Sequence, residues 1–309
     1  MSRLKSDMHN LLTETVLNAL FANNIYTVLD FLQTEIKRIG TITALHYKDV
    51  VAVRKHLVNK HSAVVHTALD LWNELMAKTA QIPTRIKGVD GILQGGLTTG
   101  NIYEVCGLPS SGKTQLCLTL MKNVVSYSNL NVFWIDTKGD FAAKRIKAML
   151  DASKADVELM SKMLVKRLHT QHELINTLYQ IKEDVYIRRL KLRLIIIDSL
   201  PPLFYQSRDF ERNYGVMNDF VNILHFLTRE LHIAIVVTNV ITTWYEGDFH
   251  VENSATEKLG LGKYWLQIAN TRLVIKKRAN SECTVQVMKS NRLPKGASCK
   301  LWIRDEGIV

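Results

Sequence analysis

From residue 7 to about residue 78 the apolar positions recur at helical spacing. In "DMHNLLTETVLNALFA" (7–22), Met8, Leu11, Leu12, Val16, Ala19 and Leu20 fall on one face. "TVLDFLQTEIKRIG" repeats the period and predicts a second helix, with Gly40 as its stop. "HYKDVVAVRKHLVNK" predicts a third helix and "ALDLWNELMA" a fourth. No strand pattern occurs before about residue 82, so the expectation is a small all-α domain over 1–78 and a linker over 79–84, within "KTAQIPT".

After Pro83 the period changes. Short runs rich in β-branched residues follow: "IYEVC", "NVFWID", "LRLIIID", "IAIVVTN", "TRLVIKK", "TVQVMK" and "KLWIR". The first four alternate with helical stretches, which predicts an α/β core over 85–309 built on a mostly parallel central sheet. The last three follow one another closely and predict an antiparallel extension. There is no internal repeat and no low-complexity tract.

One loop of this core carries recognisable chemistry. Gly107 to Thr114, "GLPSSGKT", fits G-x-x-x-x-G-K-[ST], between a predicted strand and a predicted helix. Glycines let backbone N–H groups turn inward around phosphates, and the helix start adds its positive end. Lys113 supplies a cation to the outer phosphates, and the Thr114 hydroxyl suits Mg²⁺. The expected ATP-contact set is therefore Gly107, Leu108, Pro109, Ser110, Ser111, Gly112, Lys113, Thr114 and the adjoining Gln115. A carboxylate supporting the metal belongs at the end of a second buried strand, and "LRLIIIDS" supplies Asp198.

Composition narrows the setting. Of 309 residues, 47% are apolar and 22% charged, as in a water-soluble globular chain, and no apolar run is long enough to cross a membrane. The start lacks the apolar stretch of a signal peptide. Four cysteines (Cys106, Cys117, Cys283, Cys299) form no CxxC pair, which points to a reducing compartment, cytosol or nucleus. The net charge is +11: residues 1–83 carry 9 Lys/Arg against 7 Asp/Glu, the remainder 31 against 22, so the core holds most of the excess. Such a surface favours polyanions, nucleic acid first among them.

Taken in order, "TRIKGVDGILQGGLTTGNIYEVCGLPSSGKTQLCL", "VFWIDTKGDFAAKRI", "LIIIDS", "IAIVVTNVIT", "LGKYWLQIANTRLVI" and "KSNRLPKG" resemble the RecA-like eukaryotic recombinases. "NNIYTVLDFL" and "LHYKDVVAVRKHLV" resemble that family's helical N-terminal domain, and the details sit nearest its D-type paralogue. The resemblance covers nearly the whole chain. It implies a RecA-like phosphate-loop core binding ATP and Mg²⁺, a nuclear location, and a role in homologous-recombination repair, meiotic recombination included.

It also exposes departures. The glutamate that activates the attacking water in the family is matched by Lys138, whose ammonium cannot take up the water's proton. Asp140, two residues on, is a partial substitute at a different backbone position. The glutamine that senses the terminal phosphate is matched by Val240, beside Asn239. Both losses predict a nucleotide holder with weak hydrolysis. By the same resemblance Arg145 stacks on the adenine, while Lys289 and Pro294, in "KSNRLP", meet nucleotide bound by a neighbouring subunit.

Two loops that touch DNA in the family correspond to "YQSRDFERNYG", with Arg208 and Arg212, and to "TTWYEGDFHVENSATEKLGLGKYW", with Trp244, Tyr245, Lys258 and Lys263. Aromatics and cations together suit single-stranded DNA; the acids among them dilute the field, so solvated loops remain an equal reading. The linker lacks the family's Phe-x-x-Ala docking segment; Val64, Val65 and Ala80 are substitute anchors. This implies hetero-assembly with other recombinase paralogues, with single-stranded or branched DNA contacted within such a complex.

Two other readings stay open: a DNA-dependent ATPase that itself performs strand exchange, and a phosphotransferase of the wider phosphate-loop group. "GLGK" near Gly260, with no strand expected before it, is discounted as a second nucleotide motif, and His169 with His172 lack a third metal ligand.

Overall fold

The computed structural model describes residues 2–62, 65–183, 191–205, 210–245, 255–278 and 281–309; the side chains of 210–213, 243–245, 255 and 256 are outside this description. The chain divides into two compact units, residues 1–73 and 74–309.

The first unit is helical: α1 (Glu14–Ala22), α2 (Val28–Gln33), α3 (Ile36–Thr43) and α4 (Tyr47–His61), with α5 (Ala68–Lys78) running across the division. Its core is Leu4, Leu12, Val16, Leu17, Leu20, Ile25, Val28, Phe31, Ile39, Val50, Val53 and Leu57. The stretch expected as one helix over "TVLDFLQTEIKRIG" is two. Thr34 and Glu35 are extended, with ψ of 137° and 138°, and Gly40 lies inside α3, which ends instead at Ala44 in the left-handed region. The break is held from outside: Arg54 on α4 donates to the carbonyls of Phe31, Leu32 and Thr34, taking up acceptors that a continuing helix would use.

In the second unit a short pair, β1 (Gln81–Ile82) with β2 (Leu97–Thr98), flanks α6 (Lys87–Leu93) and precedes the main sheet. That sheet is built from β3 (Ile102–Gly107), β4 (Asn131–Asp136), β5 (Met163–Arg167), β6 (Leu192–Asp198), β7 (Ala234–Tyr245), β8 (Ala255–Leu259), β9 (Thr271–Lys277), β10 (Glu282–Ser290), β11 (Ser298–Arg304) and β12 (Gly307–Ile308). The order is β12-β11-β10-β9-β3-β7-β6-β4-β5, with β8 on β7. Five of the pairings are parallel: β3 with β7, β3 with β9, β6 with β7, β4 with β6 and β4 with β5.

The helices are α7 (Lys113–Tyr127), α8 (Ala143–Ala152), α9 (Gln171–Lys182), α10 (Pro201–Phe204), α11 (Phe210–Arg229) and α12 (Gly262–Trp265). Both sheet faces are covered, which is why the central strands read as unbroken apolar runs. Val132, Trp134, Leu194 and Ile196 join one core with α7 and α8; Phe133, Ile135, Ile195 and Ile197 join the other with α9 and α11.

Two expectations are corrected. "TRLVIKK" is β9, parallel to β3, so the antiparallel extension begins one strand later, at β10. A strand, β8, does precede "GLGK". The four-residue α12 after it is too short to present a helix end, and Gly260 instead serves close packing: a Cβ there would lie 2.5 Å from the Tyr205 hydroxyl.

Candidate nucleotide site at the ends of the parallel strands

β3, β4, β6 and β7 point their carboxyl ends to one edge of the sheet, where open α/β sheets bind ligands. β3 runs into the loop Gly107–Gly112, and α7 starts at Lys113. The loop needs its glycines. Gly112 has φ of +104°, and a Cβ on Gly107 would fall 2.6 Å from the Ser111 hydroxyl and closer still to the Ile275 carbonyl. Gly112 caps α7 with no side-chain hydrogen bond, so the first-turn N–H groups remain for an anion. Lys113 Nζ bends back over the loop and donates to the carbonyls of Gly107 (2.9 Å) and Leu108 (2.7 Å). Burial, then the charge of Lys138, holds its ammonium below the ordinary lysine range, opposed by Asp198. A loop with no room for a side chain at Gly107, a helix start behind it and a lysine bent over it fits a polyphosphate.

Asp198, 2% exposed at the end of β6, is bound on both oxygens: Thr114 Oγ1 donates to Oδ2 (2.7 Å) and Thr238 Oγ1 to Oδ1 (2.6 Å). These hard oxygen donors suit Mg²⁺. Thr114 on α7 and Asp198, 84 residues apart, stand together. Lys138 Nζ lies 3.7 Å from Asp198 Oδ1 and 3.4 Å from Asp140 Oδ2, while the Asp140 side chain is 60% exposed.

The sequence reading missed the residue that sets this geometry. Asp136, buried at the end of β4, gathers the following loop around its carboxylate: the N–H groups of Lys138 (3.2 Å), Gly139 (2.8 Å) and Asp140 (3.2 Å) donate to Oδ1, and that of Phe141 to Oδ2 (3.3 Å). Arg167 Nε adds 3.3 Å to Oδ2. Thr137 ties the loop to the β6 end, donating to the Ser199 carbonyl at 2.6 Å and accepting from its N–H at 2.9 Å. An acid closing an apolar strand just before "TKGD" was the available signal.

Glu104 was missed as well. Fully buried on β3, it accepts from Arg272, from Asn239 Nδ2 (2.6 Å) and from Trp265 Nε1 (3.0 Å). This joins the phosphate-loop strand to the strand end at Val240. That residue sits half-buried beside the site and brings no polar side-chain group to it.

The remaining candidates are spread around this edge. Arg145 donates to Gln115 Oε1 (3.1 Å) and to the carbonyls of Arg304 (2.6 Å) and Asp305 (3.0 Å), which fixes its guanidinium plane beside the α7 start. Lys289 donates to the carbonyls of Leu266 (3.0 Å) and Gln267 (3.1 Å), and Pro294 is exposed. Lys258 and Lys263 are exposed. β7 and β8 form a hairpin rising from the strand ends, and the Tyr205 hydroxyl accepts from Leu261 N–H (3.0 Å), so the roots of the two predicted DNA loops touch. Arg208, Val64 and residues 246–254 lie outside the described residues, as do the side chains of Arg212, Trp244 and Tyr245. Among the described residues no helix is long and apolar enough to cross a membrane, and no group of three metal-binding side chains occurs around His169 and His172.

Comparison with known proteins agrees with this geometry. The Rad51 family model matches residues 76–309, and the model of the RAD51D N-terminal domain matches residues 1–60. The chain is 30% identical over 303 residues to the Bos taurus "DNA repair protein RAD51 homolog 4", covering 92% of this chain and 90% of that one. It is 29% identical to the Mus musculus protein of the same description (96% and 93% covered) and 24% identical to the Homo sapiens "DNA repair protein RAD51 homolog 2" (96% and 87%). This homology supports a role in DNA recombination and repair and implies ATP binding with a metal ion. With its RecA-like core and helical N-terminal region both matched, the chain belongs to the Rad51 family.

Proposed function

We propose that this chain is an ATP-binding recombinase paralogue of the nucleus. It serves homologous-recombination repair and meiotic recombination as one subunit of a complex of unlike paralogues that assists the strand-exchange recombinase. The loop Gly107–Gly112 with Lys113, Thr114 and Gln115 holds the phosphates, Arg145 lies along the adenine, and Thr114 with Asp198 holds Mg²⁺, which neutralises phosphate charge when bound. Lys289 and Pro294 face nucleotide on a neighbouring subunit; Lys289 must release the Leu266 and Gln267 carbonyls to do so. Arg208, Arg212, Trp244, Tyr245, Lys258 and Lys263 contact single-stranded or branched DNA within the complex.

The observation that carries the reading is the ammonium of Lys138 beside Asp198, in the loop where hydrolysis calls for a carboxylate. Without a general base the rate falls by about 10²–10⁴, so nucleotide is retained rather than consumed. Val240 removes the phosphate sensor by the same logic, which disfavours a strand-exchange ATPase. The test has two parts. The purified full chain should bind ATP while phosphate release stays near the blank with single-stranded DNA present. Isolation from cells with mass-spectrometric identification should recover other recombinase paralogues. Rapid DNA-stimulated release, or recovery of the chain alone, would overturn the proposal.

A further inference from the structure

Lys138 does more than remove a base. Its ammonium stands 3.7 Å from Asp198 Oδ1 and 3.4 Å from Asp140 Oδ2, with the side chain one-third exposed. Its backbone is fixed by the Asp136 carboxylate on one side and by the Thr137–Ser199 hydrogen bonds on the other. The root of the charged side chain is therefore held in place before any ligand arrives. Asp198 meanwhile receives a hydroxyl on each oxygen and already faces the Lys138 charge, which offsets part of its attraction for a second cation. Lys138 stands beside the buried carboxylate and Lys113 bends over the phosphate loop, so two ammonium groups flank one site. Two like charges in a partly desolvated cleft repel until a polyanion separates them.

We propose that Lys138 is a tethered cation for the outer phosphates, so that this chain holds nucleoside triphosphate with little dependence on a divalent metal ion. The inference rests on the nucleotide-binding reading above and adds to it the source of the neutralising charge. A charge-assisted hydrogen bond from a tethered ammonium to a phosphate oxygen replaces part of what Mg²⁺ supplies, without the dehydration that Mg²⁺ resists.

The test is ATP binding to the full chain by calorimetry, in Mg²⁺ and in EDTA, for the natural protein and for Lys138→Gln. The natural protein should bind in EDTA within about threefold of its Mg²⁺ affinity, while the variant should lose at least about tenfold in EDTA and recover most of it in Mg²⁺. Binding by the natural protein that disappears in EDTA but persists in Mg²⁺ overturns the Lys138 role and leaves the nucleotide site standing. Unchanged EDTA binding by the variant also overturns that role. No binding in either buffer overturns the nucleotide reading itself. Circular dichroism of the variant, matching the natural protein, separates these results from a folding defect.

Discussion

At the residue scale, the acid Glu104 ties three separate elements together. It is fully buried, and its two oxygens take three donors, from Arg272 on β9, Asn239 on β7 and Trp265 on α12. The Arg272 side chain is itself only 5% exposed. Such a pair adds little compared with apolar packing, but breaking it leaves a buried charge without its counter-charge. Glu104→Gln keeps the shape, turns an acceptor into a donor and strands the guanidinium. It is expected to lower unfolding free energy by about 3–5 kcal/mol, read by urea denaturation; a change near zero would mean that Arg272 finds another partner. None of this was legible in "IYEVC", where the acid interrupts an apolar strand and its partners lie 135, 161 and 168 residues away. Thr114 and Asp198 were legible, because phosphate chemistry demands each at the end of its own strand or loop.

Elements were legible where one local pattern decided them. The phosphate-loop strand, α7 and the apolar β4, β6 and β7 each announce themselves by composition and length. β5, "MLVKR", was not seen, because an edge strand with one face in solvent is short and mixed. The α2–α3 break and the parallel setting of β9 were not seen either, since Arg54 and β3 impose them from elsewhere in the chain. β12 is the clearest case of tertiary placement. Ile308 N–H donates to Thr119 Oγ1 on α7 (2.9 Å), and Lys122 on α7 donates to the Glu306 carbonyl (2.8 Å). Gly307, with φ of +120°, lets the strand lie flat on α7: a Cβ there would fall 2.6 Å from Thr119 Oγ1 and 2.7 Å from Met149 Cε. Gly307→Val should therefore detach the strand and cost about 2–4 kcal/mol, from the strained backbone and the overlap together. It should also free Arg145, whose carbonyl partners precede Gly307. A thermal melt of the variant checks the first effect; an unshifted midpoint would show that the tail is dispensable.

The two units close separate cores across the whole chain: residues 4–57 supply one, and residues 82–308 supply the two layers around the sheet. The phosphate loop, Lys138, Asp198 and Arg145 all belong to the second unit. A ligand stabilises only the state that binds it, so ATP should act on the second unit's opening equilibrium and not on the first's. At about 100 times its dissociation constant it adds about 2.7 kcal/mol, which slows exchange through global opening about a hundredfold. Hydrogen exchange with mass-spectrometric readout should then show strong new protection in β3, β4, β6, β7 and α7, and unchanged rates in α1, α2, α3 and α4. Protection spread equally over both units would mean that they unfold as one cooperative body. Absence of protection in α7 would remove the nucleotide from the loop to which the motif, the helix start and Lys113 point.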